Sequence, residues 1–341
     1  MNSTERKTVL VTGGAGYIGS VAAAFLIEQG LEVVVIDNLS QGHLAAVHPQ
    51  AVFYQGNISD AALINLICQR HGIEAVLHFA ASALVGESMV NPAKYYLNNV
   101  VETTLLLNHL LRNHVNTFIL SSTAATYGIA SSEPITEECA QNPINPYGRS
   151  KWMIEQILRD FSQAYPQFHY VALRYFNACG AWEHWGEHHD PETHLIPNLI
   201  AAIQGEIPHL SVYGNDYPTA DGTCVRDYIH VRDLASAHFL ALQYLWTNQC
   251  SDYFNLGNSA GFSIAEVIQS AERVIGRTIP SVVSERRPGD PPVLVASSQK
   301  ARHKLGWSPA FSSLDTIISD AWQWSQAHPR GYPNDKDFLL Q

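Results

Sequence analysis

The run Thr12-Gly13-Gly14-Ala15-Gly16-Tyr17-Ile18-Gly19 sits between the apolar stretch Thr8–Val11 and the helical pattern Tyr17–Gln29. Three glycines at this spacing leave few options for the backbone. Gly13 permits a tight turn out of the strand, Gly16 lets the main chain approach a ligand, and Gly19 lets helix and strand pack closely. The helix start then presents unpaired N–H groups and the positive end of a dipole, which suits a pyrophosphate. The spacing differs by one residue from the general GxGxxG fingerprint, so it gains weight from its place after the first strand.

The apolar runs that follow repeat the theme. Strands are expected at Glu32–Asp37, Ala51–Gln55, Ala75–Phe79, Thr117–Ser121 and Tyr170–Arg174, with helices at Ala61–His71, Pro92–Asn113 and Tyr147–Tyr165 between them. Fully apolar strands separated by helices of this length predict an α/β chain with a doubly wound parallel sheet of the Rossmann type. After Asn177 the chain becomes irregular, with prolines, glycines, tryptophans and histidines crowding Gly180–Pro197. Helices are expected at Ile196–Gln204, Val231–Leu245 and Ser263–Gly276, the last opened by Ser263 with Glu266 in capping-box position. The division read from this change is a dinucleotide domain over residues 1–177, to which about 225–262 return, and a smaller C-terminal α/β substrate domain over 178–341.

A chain of 341 residues with 46% hydrophobic and 15% charged residues can bury a large core. Its formal net charge of −11 argues against nucleic acid or an anionic membrane as the partner. No signal peptide or membrane-length apolar run is visible. The five cysteines, Cys68, Cys139, Cys179, Cys224 and Cys250, are scattered, which fits free thiols in the cytoplasm.

Asp37 lies about twenty residues beyond the loop, where a carboxylate grips adenosine ribose hydroxyls and repels a 2′-phosphate, so NAD is favoured over NADP. Tyr147 and Lys151 are one helical turn apart and share a face. Ionising a tyrosine at pH 7 costs about 4 kcal/mol. A lysine charge roughly 5 Å away returns about 3 kcal/mol at an effective dielectric near 20. Tyr147 is therefore the candidate base and Lys151 its electrostatic partner and ribose ligand. Thr123, at the end of the strand Thr117–Ser121, supplies a hydroxyl to bridge substrate and tyrosine. A second YxxxK, Tyr332 to Lys336, contains Pro333 in a polar tail and reads as chance.

These motifs resemble the extended short-chain dehydrogenase/reductase family and, within it, the UDP-hexose 4-epimerases, over about Lys7 to Pro333. The most specific stretches are Gly13–Gly19, His78–Ala81, Val85–Ser88, Tyr147–Lys151, Arg174–Asn177, Gly214–Thr219, Asp221–His230, Asn255–Gly257 and Arg286–Asp290. The resemblance implies tightly bound NAD held by Gly13, Gly16, Tyr17, Ile18, Gly19, Asp37, Asn38, Asn57, Ile58, Phe79, Ala80, Ala81, Asn98, Ser121, Tyr147, Lys151 and Tyr175. It implies a UDP-sugar held by Thr123, Asn177, His194, Leu195, Tyr213, Arg226, Arg287 and Asp290. Two arginines suit a diphosphate, and Tyr213 suits a stacked uracil. The implied reaction removes hydride from sugar C4, turns the 4-keto sugar over and returns the hydride to its other face. A homodimer paired through Pro92–Asn113 and Tyr147–Tyr165 is implied as well.

Four positions depart from the common pattern. Thr123 stands for serine, Asn57 for aspartate, and Ala83 for a lysine of some members. Leu294 gates the sugar's C2 substituent with less bulk than tyrosine, which leaves UDP-N-acetylhexosamines open beside UDP-hexoses, and UDP-pentoses remain open too. A 4,6-dehydratase is disfavoured because Thr123-Ala124-Ala125-Thr126 lacks the acid that eliminates water. A non-catalytic NAD-binding regulator is disfavoured because tyrosine, lysine and hydroxyl are all present. Metal binding by His184, His188, His189 and His194 is not expected, because they sit in a proline-flanked loop without the usual ligand spacing.

Overall fold

The computed structural model describes residues 6–130, 134–287 and 290–333. Its centre is a seven-stranded sheet: β1 (Thr8–Thr12), β2 (Glu32–Asp37), β3 (Val52–Gln55), β4 (Ile73–His78), β5 (Thr117–Thr123), β6 (His169–Tyr175) and β7 (Asp252–Leu256). The order is 3-2-1-4-5-6-7 and every pair is parallel. The order reverses between β1 and β4, so the loops leaving these strands part and open a crevice at their carboxyl ends. Both faces of the sheet are covered. One apolar cluster joins Val9, Val11, Val35 and Leu77 to the helices Tyr17–Glu28 and Val231–Asn248. The other joins Leu10, Val34, Val76 and Phe118 to Ala61–His71, Glu102–Arg112 and Pro146–Ala164. Strands buried on both sides explain the unbroken valine, leucine and isoleucine runs.

Three differences from the sequence expectations have physical causes. The helix expected over Pro92–Asn113 is broken into Pro92–Tyr95, a π-helical turn Tyr96–Val101 and Glu102–Arg112. The wide turn lets the Asn99 side chain reach across to Ser82 and Ser150. Strand β7 has only five residues, including Asp252 and Asn255, so its polarity hid it until β6 supplied a partner. Val231–Leu256 packs on the sheet, as do Trp182, Trp307 and Trp324 from other segments, whereas Val225–Arg226 pairs with Phe262–Ser263 and Val293–Leu294 in a small separate sheet.

The remaining helices Leu195–Gln204, Ile264–Ile275 and Leu314–Ala327 enclose a third apolar cluster around Leu199, Val267 and Ile317. The helix Ile264–Ile275 carries the full capping box: Ser263 accepts from the Glu266 N–H, and Glu266 accepts from the Ser263 N–H.

Candidate active site

The glycine loop is built by contacts that exclude any side chain. Gly13 has φ +72°, and a Cβ there would lie 2.5 Å from the Ala80 nitrogen. The Phe79 and Ala80 N–H groups both donate to the Thr12 carbonyl, which pins the β4 loop against the β1 loop. A Cβ on Gly19 would meet the Gly13 carbonyl oxygen at 2.2 Å, whereas one on Gly16 meets nothing nearer than 3.4 Å. Gly16 thus has the open space, and it begins the helix Tyr17–Glu28 with no side chain capping the first turn. An uncapped first turn beside open backbone fits a pyrophosphate.

Asp37 ends β2, nearly buried, and accepts from the Ala15 and Leu39 N–H groups. Next to it, Asn38 donates to Asn57 at 2.9 Å. These three polar side chains close the far end of the crevice, with Ile58 buried beneath. Phe79 packs on His238 with ring centroids 4.7 Å apart, while Ala80 and Ala81 follow on the β4 loop, half-buried. The Tyr17 side chain turns inward, its hydroxyl donating to the Gly180 carbonyl at 2.6 Å. Only the backbone of Tyr17 and Ile18 faces the loop as part of the first turn.

At the carboxyl edge of β5, Ser121 ties two groups together. Lys151 Nζ donates to its carbonyl at 2.8 Å, and the Tyr175 hydroxyl donates to its Oγ. Lys151 is only 2% exposed. Tyr147 starts the helix Pro146–Ala164, whose N-cap Asn145 accepts from the Gly148 N–H. A Cβ on Gly148 would sit 2.3 Å from the Ala125 carbonyl oxygen, so helix and loop touch directly. The Tyr147 hydroxyl hydrogen-bonds Thr123, and its ring meets Tyr95 edge-on at 6.3 Å.

Burial dominates the electrostatics of this edge. Burial pushes the Tyr147 phenol above its ordinary value, against the lowering effect of the Thr123 hydrogen bond. Burial also brings Lys151 down to about 7, against the pull of Glu155. His78 lies between Thr12 and Thr103 hydroxyls and falls to about 3, by burial and then by the Lys151 charge. The protein by itself therefore holds a neutral phenol, not a phenolate. Desolvation exceeds what the Thr123 hydroxyl returns.

Residues that carry the site without a motif are now visible. Asn99, not Asn98, is the hub of the β4 loop: it accepts from the Ser82 N–H and donates to the Ser82 carbonyl and Ser150 Oγ. Asn98 donates to Ser82 Oγ at 3.2 Å. Behind β5, Glu155 accepts from Ser122 and Arg174 in a buried pair, and Arg174 reaches Tyr127. Buried Asp227 accepts the N–H groups of Asn258, Ser259 and Ala296 and is raised to about 6 by burial. Such partners lie tens of residues away in sequence, so no local spacing announces them.

The residues expected on the substrate side fall on several elements. Asn177 donates to the Asp227 carbonyl at 2.9 Å. Arg226 is ion-paired with Asp290, and Leu294 is directly opposite Arg226 in register. Arg287 stacks over the Tyr213 ring at 4.0 Å. Leu195 begins the helix Leu195–Gln204, with His194 as N-cap. His194 faces Glu187 at 2.8 Å and Glu192 at 3.0 Å, and His189 joins them, whereas His188 stacks on His43. Burial opposes charge on both imidazoles, yet Glu187 and Glu192 prevail, raising His189 to about 9 and His194 to about 10. With nearly half its side chain in solvent, His194 is the more screened of the two. Tyr332 is buried, its hydroxyl accepting from the Gly186 N–H; Lys336 lies outside the described residues.

This arrangement has known counterparts. The model of the NAD dependent epimerase/dehydratase family matches residues 9–257. The UDP-glucose 4-epimerase of Halalkalibacterium halodurans is 48% identical over 96% of this chain and 98% of its own length. The crystal structure of UDP-glucose 4-epimerase from Brucella ovis in complex with NAD superposes with a TM-score of 0.91 at 50% identity, covering 93% of this chain and 98% of that one. The enzyme from Bifidobacterium longum, in complex with NAD+ and UDP, gives 0.91 at 37% identity, covering 96% of this chain and all of that one. The glycine crevice, the Tyr147–Lys151 edge and nearly full-length similarity converge on one conclusion: the chain belongs to the NAD dependent epimerase/dehydratase family.

Proposed function

We propose that this protein interconverts UDP-glucose and UDP-galactose by epimerisation at C4, with NAD retained through turnover. The observation that carries the reading is Tyr147 hydrogen-bonded to Thr123 above buried Lys151, at the sheet edge beside the glycine crevice. Bound NAD supplies the hydride acceptor for sugar C4, the hydride's return, and a positive charge near the phenol.

The chain's residues do the rest. The glycine loop from Gly13 to Gly19 cradles the pyrophosphate, and Asp37, Asn38 and Asn57 meet the adenosine end. Ile58, Phe79, Ala80 and Ala81 form the apolar wall, with Asn98, Ser121 and Tyr175 on the nicotinamide side. Tyr147 takes the proton from the sugar 4-hydroxyl and later returns it, while Thr123 holds that hydroxyl in line. The phenol is raised by burial, so it ionises only when cationic charge is added beside it. Lys151, down at about 7, contributes such charge when protonated. Arg226 and Arg287 meet the diphosphate, Tyr213 the uracil, and Asp290, Asn177, Leu195 and His194 complete the substrate wall. The net reaction oxidises nothing.

Residues 1–177 with Val231–Leu256 form the cofactor half in this reading, and the rest the substrate half. A homodimer is the assembled form, supported by exposed Leu97, Val101, Leu105 and Met153 on the two helical segments expected to pair. The cytoplasm is the compartment, supported by five free cysteines. Among the described residues no helix is long and apolar enough to cross a membrane. Leu294 beside Arg226 favours a second reading, in which UDP-N-acetylhexosamines are also accepted. UDP-pentoses remain alternative substrates.

The test is incubation of the purified protein with UDP-galactose, no cofactor added, and chromatography of the nucleotide sugars. UDP-glucose should accumulate to equilibrium. A protein that carries NAD yet leaves UDP-galactose, UDP-N-acetylglucosamine and UDP-xylose all unchanged would be a regulator instead.

A further inference from the structure

The segment between Gly180 and the helix Leu195–Gln204 gathers four side chains that the proposed reaction does not need as a group. Glu187, His189, Glu192 and His194 each place one potential ligand atom within 4.8 Å of the others. The two imidazoles come from residues five apart in sequence and the two carboxylates from residues five apart, interleaved, so the loop wraps around a single point. Glu187 is almost fully enclosed, with 7% of its side chain exposed.

One atom in the cluster has two carboxylates near it but is aligned on neither. His189 Nδ1 is shielded from solvent and makes no hydrogen bond, although Glu187 lies 3.3 Å away and Glu192 3.5 Å away. A ring nitrogen that faces two carboxylates without aligning on either is aimed at the space between them. The charges lead to the same point. Two carboxylates with two neutral imidazoles leave a charge of −2, which two protons or one divalent cation would balance.

We propose that Glu187, His189, Glu192 and His194 bind one divalent transition-metal ion of the zinc class. Two imidazole nitrogens with two carboxylate oxygens form a four-coordinate set that zinc accepts. Magnesium and calcium prefer oxygen-only sets, so the nitrogens select against them. A cleft of about 710 Å³ is walled in part by Glu187, His189 and Glu192, which gives the ion a path from solvent. The Tyr17 ring meets His189 edge-on at 6.4 Å, and the Tyr17 hydroxyl holds the Gly180 carbonyl. The ion therefore fastens the interdomain loop against the first residue of the glycine-loop helix. Its role is structural, and binding releases the protons carried by the two histidines.

The experiment uses the full chain with its retained cofactor, stripped with a chelator and titrated with Co2+ followed by visible absorption. Zn2+ competition and elemental analysis give the stoichiometry. One ion per chain, with the strong visible bands of four-coordinate Co2+, is expected, and added Zn2+ should raise the melting temperature. Glu192→Gln keeps an acceptor for the Thr193 and His194 N–H groups that Glu192 Oε1 now serves. That variant and His189→Ala should each bind at least about 10-fold more weakly, since even indirect ligand changes cost that much. If either variant loses its circular dichroism, the wild-type titration and the other variant decide. Wild-type protein without a one-to-one site, or equal binding by wild type and Glu192→Gln, overturns the proposal and assigns any bound ion to surface histidines.

Discussion

The sheet edge and the loop between Gly180 and Leu195 treat buried histidine in opposite ways. At the edge, burial neutralises: His78 falls to about 3, Lys151 to about 7, and the Tyr147 phenol rises. In the loop, burial is overruled: His189 and His194 rise while Glu187 and Glu192 fall. The difference lies in the partners. His78 is held by two threonine hydroxyls, which give an imidazolium little. Each loop histidine faces two carboxylates. Charge survives burial only where opposite charge is buried with it. The edge is thus a site waiting for outside charge, whereas the loop, when metal-free, balances its carboxylates with protons on its own imidazoles.

The most severe way to break this contrast is Tyr147→Phe, which deletes the group whose ionisation the edge withholds. Turnover should fall on the order of 1,000-fold, within the range for loss of a general base, while NAD stays bound. Steady-state kinetics and the absorbance of released cofactor check both. Unchanged turnover would eliminate Tyr147 as the base. Lys151→Met removes the edge's own cation. A charge at roughly 5 Å is worth about 3 kcal/mol, so turnover should drop on the order of 100-fold, and NAD should be retained less well. Wild-type behaviour in both assays would leave Lys151 a packing residue.

Stability against pH sharpens the comparison without touching turnover. His78 has a folded value far below its unfolded one, so the unfolded chain binds the extra proton and stability is lost as pH falls below about 6.5. Between pH 6.5 and 5 this one group should remove about 2 kcal/mol, and His78→Gln should flatten that slope in urea titrations. The loop histidines carry the opposite sign. Their folded values are raised, so their contribution is complete below about 6.5 and fades as pH climbs through about 9 to 10. His189→Ala should flatten the alkaline limb and, because His189 also holds Glu187 and Glu192 down, weaken their contribution to the acid limb. The smallest effect is expected at the outer helix face: Leu105→Glu, at an exposed position, should shift the particle mass by light scattering from the proposed dimer toward monomer. In the isolated chain it should cost no more than about 0.5 kcal/mol.

Much of the molecule was open to reading before any coordinates. Strand–turn–helix repeats, the capping box at Ser263, and the turn chemistry of Gly13 and Gly19 depend on neighbours a few residues apart, and sequence states those directly. The helical spacing of Tyr147 and Lys151 and the strand end at Thr123 were equally legible, while their roles rest on the proposed function. What stayed hidden depends on distant segments meeting. Strand β7 needed β6, the π-turn needed Ser82 and Ser150, and the loop cluster needed a fold in the Gly180–Leu195 segment.

The chain's local chemistry therefore determined the architecture, the glycine crevice and the placement of Tyr147, Lys151 and Thr123. Tertiary structure alone decided their charge states, because a pKa depends on the water excluded and the charges enclosed around a group. Those are properties of packed space, set by residues such as Glu155, Glu187 and Ser121 that lie beside the functional groups only once the chain has folded.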